Sequence, residues 1–263
     1  MKKSQLFLVV TILLFLQGCS AVKDFEVIKY NKFEVVHFNP QPATTNSYII
    51  YEIKSGTAAI IDPGWKTDSL ISFIKKHNLH LAYIFITHGH IDHIFGLSQI
   101  KKQNPEVKIC IHKTEFENIS AYQNWINNPQ QNNTDKQKNE TVATAYRNFE
   151  PASINKPDIF VEDNQSFKLG SMEIKTIHTP GHAAGEICYY TGNILFSGDV
   201  LLYRTVGGYS SPEGSKEDLK RSVRLLYKVF PDATVIYPGH GEFTDMGSEK
   251  LLNKKITVNK EAL

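Results

Sequence analysis

An α/β fold is the architecture this sequence predicts, and three features predict it. Short apolar runs rich in β-branched and aromatic residues recur from residue 33 to residue 237, and stretches with apolar residues at helical spacing lie between them. Several of these runs stop at Gly- or Pro-containing turns that also carry His or Asp. The body left after the first 30 of the 263 residues is long enough for one sizeable core. Lys and Arg number 29 against 27 Asp and Glu, and a net charge of +2 excludes the strongly basic surface of a nucleic-acid binder.

The chain opens with Met1-Lys2-Lys3 and an almost wholly apolar run over residues 6–16. That run is too short to span a bilayer and has the length of a signal-peptide core. It ends in Leu16-Gln17-Gly18-Cys19-Ser20, which resembles the bacterial lipobox. The resemblance implies a lipid anchor on Cys19 and a place in the cell envelope, periplasmic or on the outer membrane; a plain signal peptide cleaved nearby is the alternative. Residues 1–19 are therefore expected to be a lipoprotein-type signal segment, 20–30 a tether and 31–263 one domain.

Within the body, residues 35–38, 47–51 and 58–61 read as strands, separated by Asn39-Pro40-Gln41-Pro42 and Lys54-Ser55-Gly56. Asp62-Pro63-Gly64 closes the third; Asp62 reads as a turn former, with a hydrogen bond to a metal-binding side chain as its other possible role. Leu70, Ile71 and Ile74 mark a helix from Asp68, and residues 81–86 a buried strand.

Directly after that strand comes Thr87-His88-Gly89-His90-Ile91-Asp92-His93. Three imidazoles and a carboxylate in six positions are ligands suited to zinc and similar metals. His88 and His90, two apart, point the same way while the chain stays extended. Asp92 and His93 are adjacent and precede a helical pattern, so the loop can offer one pair of ligands to each of two metals. Further donors are expected downstream.

A helix over 94–102 and a strand over 107–112 follow. Residues 117–156, rich in Asn, Gln and Lys, read as two short helices joined by a polar loop, with Tyr122, Trp125 and Ile126 on one face and Val142, Tyr146 and Phe149 on the other. Such a segment is either an active-site wall or a surface excursion. Strands over 172–177, 186–190, 194–196 and 234–237 come next. The helix that Ser215-Lys216-Glu217-Asp218 opens as a capping box presents Leu219, Val223, Leu226 and Phe230 inward and stops at Pro231. Turns after three of these strands offer His182, Asp199 and His240. Cys110 and Cys188 lie in strand-like runs and read as core thiols, with one disulfide open to them. His37, His77, His80 and His112 read as structural; for His178 a hydrogen bond to a ligand is also open.

The succession HxHxDH, TPGH, SGD and PGH resembles the metallo-β-lactamase fold and, within it, the glyoxalase II-like hydrolases. Thr45-Asn46-Ser47-Tyr48 and Ile61-Asp62-Pro63-Gly64 agree, and the resemblance covers about residues 31–250. It implies a four-layer αββα sandwich, two sheets face to face with helices outside. It also implies that His88, His90 and His182 bind one metal, that Asp92, His93 and His240 bind the other, and that Asp199 bridges them. The cofactors implied are two divalent ions, zinc first, with iron or manganese as alternatives.

Two divalent cations, two carboxylates and a bridging hydroxide leave such a centre about one positive charge, which favours an anionic group or a developing oxyanion. The chemistry that follows is hydrolysis of an acyl bond in a small-molecule thioester, lactone or lactam, with Asp92 and Asp199 in the catalytic centre. Two features set this chain apart from the familiar glyoxalase II. Only 23 residues follow His240, where that enzyme carries a helical glutathione-binding domain, and Val206-Gly207-Gly208-Tyr209 stands where single-domain relatives carry a Gly-Arg pair. Tyr203, Arg204 and Tyr209, on the loop after Asp199, are the candidate substrate contacts. Persulfide dioxygenases with one iron share the scaffold and are the alternative; a non-catalytic lipoprotein retaining the fold is a third.

Overall fold

A computed structural model describes residues 25–38, 45–128 and 140–257, without the side chains of 140–142. Cys19, the leader, the turn over 39–42 and Val142's side chain lie outside what is described. Among the described residues thirteen strands form two sheets, one in each half of the chain. The first sheet runs in sequence order from β1 (Glu26–Lys29) through β2 (Phe33–Phe38), β3 (Ser47–Glu52), β4 (Thr57–Ile61), β5 (His80–Phe85) and β6 (Lys108–Ile111) to β7 (Ile159–Phe160). The second holds β8 (Ser166–Leu169), β9 (Met172–His178), β10 (Ile187–Thr191), β11 (Ile194–Gly198), β12 (Val235–Pro238) and β13 (Thr244–Asp245), also in order.

Neighbours β4 to β7 are parallel, so each link between them is a helical crossover. These are α1 (Thr67–Lys76), the pair α2 (Ile91–Ile94) and α3 (Leu97–Gln103), and the pair α4 (Lys113–Ile126) and α5 (Glu140–Arg147). In the second sheet β11 and β12 are parallel and joined across α6 (Lys216–Val229), and α7 (Met246–Leu252) follows β13.

Four layers follow from strands that are apolar on both faces. Val35, Ile50, Ile61 and Phe85 face the second sheet, where they meet Phe167, Ile174, Tyr189, Phe196 and Tyr237. Their sequence neighbours Val36, Ile49, Ile60 and Ile84 point the other way, onto Leu70 and Ile74 of α1 and Leu97 and Ile100 of α3. Cys188, Leu195 and Ile236 leave the second sheet's outer face to pack on Leu219, Val223 and Leu226 of α6 and Met246 of α7. The period of two along each strand thus feeds the inter-sheet core and one helical layer at once. This is the expected αββα sandwich.

Local departures have local causes. The helix expected over 94–102 is broken at Gly96, whose N–H donates to Pro63 O at 2.7 Å and whose missing side chain admits the Pro63 and Gly64 carbonyls. Residues 26–29, expected in the tether, form an edge strand antiparallel to β2, with Ile28 packed against the inter-sheet core. Among the described residues no helix is long and apolar enough to cross a membrane.

Cys110 and Cys188 are both free and buried. They belong to different layers, the first inside the sandwich and the second under α6, so no disulfide joins them. Burial raises both thiols above their ordinary pKa, which removes the reactive thiolate. Iodoacetamide should therefore label neither in the native protein and both after denaturation, as read by peptide mass mapping; native labelling of either would contradict this packing.

Candidate metal centre

Five strand ends reach the same rim of the sandwich. Asp62 follows β4, Thr87 and His88 follow β5, His182 follows β9, Asp199 follows β11 and His240 follows β12. The chain after β5 stays extended through His90 (φ −66°, ψ 142°), then enters the single turn of α2, which carries Asp92 and His93.

All seven expected ligands converge. The donor atoms of His88, His90 and His182 lie within 4.8 Å of one another, and so do those of Asp92, His93 and His240. Asp199 joins them: its Oδ2 lies 3.5 Å from His182 Nε2 and 3.3 Å from His240 Nε2, and its Oδ1 lies 3.7 Å from His93 Nε2. A side chain at position 239 would overlap Asp199 Oδ1, so glycine is required there for the approach.

Hydrogen bonds behind the rings fix which nitrogen faces inward. His93 Nδ1 donates to Asp62 Oδ2 at 2.9 Å. Thr87 Oγ1 gives its proton to the same carboxylate at 2.7 Å and so can only accept from His88 Nδ1, 3.0 Å away. His182 Nδ1 donates to Gly208 O at 2.6 Å. His88 and His182 therefore turn bare Nε2 lone pairs towards each other across 3.3 Å. Two lone pairs at that distance repel unless a cation lies between them, and His90 Nδ1 is only 2.9 Å from His182 Nε2. Asp199 Oδ1 is buried without a hydrogen-bond partner. This donor set fits metal cations.

Charge divides the centre. Burial first, then the neighbouring imidazoles, push His88 and His90 well below the ordinary histidine pKa; His182 is lowered too, by burial. That triad is neutral at pH 7. Burial also opposes charge on His93 and His240, but Asp92 and Asp62 outweigh it for His93, and Asp199 and Asp92 for His240, so both are raised. Cation uptake by the second triad must then release protons.

Supporting residues came from positions the motif did not mark. Glu115, on the first turn of α4, is buried and accepts from Gly89 N at 2.8 Å and Gly185 N at 2.6 Å, pinning two ligand turns together. Glu186 is fully buried, accepts from Asp199 N at 2.7 Å and sits 3.7 Å from His88 Nδ1. Burial, with Asp199 next, raises its carboxyl well above the ordinary value. A lone Glu beside a helix or strand carries no sequence signal of either role. Thr45 and Asn46 did carry one, in the TNSY mark: Thr45 Oγ1 donates to Asp92 Oδ2 at 2.6 Å, and Asn46 Nδ2 donates to Pro238 O and Gly241 O, both at 3.0 Å.

Arg204 is turned elsewhere, contrary to its expected role. Its guanidinium donates to the buried Glu249 of α7 at 2.6 Å and lies 4.6 Å above the Tyr203 ring, so it ties the loop to the helix. Tyr203 and Tyr209 are both exposed. His37 pairs with Asn46, His112 caps α4, and His178 bonds Ala184 O and stacks on His112; none touches a ligand. Of the polar excursion, the described helices α4 and α5 wall the centre. Tyr122 of α4 stacks on His90 at 3.8 Å, and burial, with the Asp92 carboxylate next, raises the Tyr146 hydroxyl of α5 well above its ordinary pKa.

Residues 40–240 match the profile described as "Metallo-beta-lactamase superfamily". The chain belongs to that superfamily. A relative from Haemophilus influenzae, hydroxyacylglutathione hydrolase GloC, is 31% identical over 201 residues, covering 74% of this chain and 85% of its own. The probable metallo-hydrolase YqgX of Bacillus subtilis is 26% identical over 211 residues, covering 80% and 90%. The crystal structure of the BLEG-1 B3 metallo-beta-lactamase superposes with a TM-score of 0.67 at 26% identity, covering 85% of this chain and all of that one.

Asp62 holds His93 directly and His88 through Thr87. Asp62→Asn should weaken metal affinity by about 10–100-fold while leaving the circular dichroism spectrum unchanged. Chelator competition reads the affinity, and a wild-type value would show that the two rings do not depend on this carboxylate.

Proposed function

We propose that this protein is a dinuclear metal-dependent hydrolase that cleaves an acyl bond in a small-molecule substrate, with glyoxalase II-like chemistry. The observation that carries this reading is the pair of three-residue donor sets with Asp199 reaching members of both. His88, His90 and His182 would hold one divalent cation and Asp92, His93 and His240 the other; zinc suits these ligands, and iron or manganese are alternatives. When bound, such ions polarise a carbonyl and lower the pKa of a bound water to about 7.

The chain's own residues supply the rest. Asp62 and Thr87 hold the His88 and His93 tautomers, Thr45 orients Asp92, and the Gly208 carbonyl orients His182. The Tyr122 ring covers one face of His90 and keeps water from it. Because the second donor set is complete and gathered, the paired centre is favoured over the mononuclear iron alternative. GloC, by its name, supports a thioester substrate, and BLEG-1, by its name, a lactam.

Metal-loaded protein should contain close to two equivalents of metal and turn over at least one member of a thioester, lactone and lactam panel. Asp199→Ala should lower turnover by at least about 10²-fold with the fold intact. A dimetal sample inert to the whole panel would overturn the reading.

We also propose, from the leader sequence alone, that the mature chain is held in the cell envelope by lipid on Cys19. Wild-type protein should then pellet with membranes, and Cys19→Ser should be released from them. Equal pelleting of both would contradict it.

A further inference from the structure

The α4–α5 wall carries an unusual density of aromatic surface, and that surface is joined to the ligands. Tyr122 lies face to face with His90, centroids 3.8 Å apart and planes at 16°. Trp125 continues the sheet of rings, 5.7 Å from Tyr122. On the Asp92 side, Tyr146 is 6.2 Å from Trp65, which stacks on Phe95 at 4.2 Å. Tyr122 and Tyr146 are buried in a cluster with Ile91 and Ile126, and Trp65, Phe95 and Trp125 are half-buried against it. Apolar ring surface therefore runs outward from two ligand side chains. Trp65 Nε1 within it is a buried donor with no partner.

Cations are the complementary observation. The four turns that carry the ligands, residues 87–93, 179–186, 199–214 and 238–241, contain one Lys or Arg between them, Arg204. That guanidinium is held by Glu249. A polyanionic thiol carrier such as glutathione needs cationic partners for its carboxylates, and these turns hold none free to supply them.

From these two observations we propose that the substrate of this centre is a neutral acyl compound with an aromatic or bulky apolar acyl group, and that the wall of Tyr122, Trp125, Trp65 and Phe95 binds that group. The proposal rests on the hydrolase reading above and narrows its substrate class. Stacking and burial of one aromatic group on such a wall change discrimination by about 10-fold or more.

The test uses metal-loaded full-length protein and three thioesters: S-phenylacetyl-N-acetylcysteamine, S-acetyl-N-acetylcysteamine and S-lactoylglutathione. The phenylacetyl compound should be preferred over both others by at least about 10-fold in kcat/KM. Trp125→Ala and Trp65→Ala should lower kcat/KM for it, chiefly through KM, by at least about 10-fold more than they lower it for the acetyl compound. The acetyl compound serves as the internal control for folding and metal content. Phenylacetate should quench the wild-type tryptophan fluorescence saturably, and the quenching should be reduced by either Trp125→Ala or Trp65→Ala. Preference for S-lactoylglutathione, or equal losses on both N-acetylcysteamine thioesters, would overturn the proposal and leave the hydrolase reading standing. Absence of saturable phenylacetate binding would overturn it whether or not any thioester is turned over.

Discussion

The Asp62 carboxylate is the interaction on which the rest of the centre depends. It sits at the end of β4 with φ at 51°, a left-handed conformation uncommon for any residue but Gly, Asn or Asp. From there it takes the Thr87 N–H, the Thr87 hydroxyl and His93 Nδ1. One buried anion thereby sets the tautomer of His93 in one donor set and, through Thr87, of His88 in the other. With the outer nitrogens committed to the protein, the inner ones have only each other and whatever lies between. Neighbouring parallel strands β4 and β5 make this possible, because their carboxyl ends open side by side.

The second sheet contributes through a different device. His182, Asp199 and His240 arrive on turns, and each turn is clamped by something buried. Glu115 holds the Gly185 turn against the Gly89 turn, Glu186 holds the Asp199 N–H, and Asn46 with Tyr48 holds the carbonyls around Gly239. The Glu115, Asn46 and Tyr48 clamps cross between halves of the chain, so the two sheets must dock before the centre exists. Burying two neighbouring carboxyls under a set of imidazoles is costly unless they are hydrogen-bonded or neutral. The raised pKa of Glu186 is the signature of that cost.

Much of this was legible in the sequence because metal ligands are chemically unlike their surroundings. Histidines at 88, 90 and 93 with Asp92 form a cluster that a solvated loop or an apolar core has no reason to assemble. The strands were legible from Val, Ile and Tyr runs, and the capping box at Ser215 located the start of α6 where its side chain accepts from Asp218 N. Glu115 and Glu186 were not legible, since a single carboxylate on a helix or strand looks the same whether solvated or pinned under a metal site. The edge strand over 26–29 was hidden by its exposed, charged ends, Glu26 and Lys29, around a single inward Ile28. Arg204 was a candidate substrate contact because it lies on the loop after Asp199, and only its long-range pairing with Glu249 reveals another use.

The central claim is that seven side chains from both halves of the chain hold two cations. Anomalous scattering from crystals grown with metal tests it most directly. The account predicts two anomalous peaks, one in contact with His88, His90 and His182 and the other with Asp92, His93 and His240, with Asp199 touching both. A single peak in a fully loaded crystal, or two peaks with Asp199 bound to neither, would contradict it.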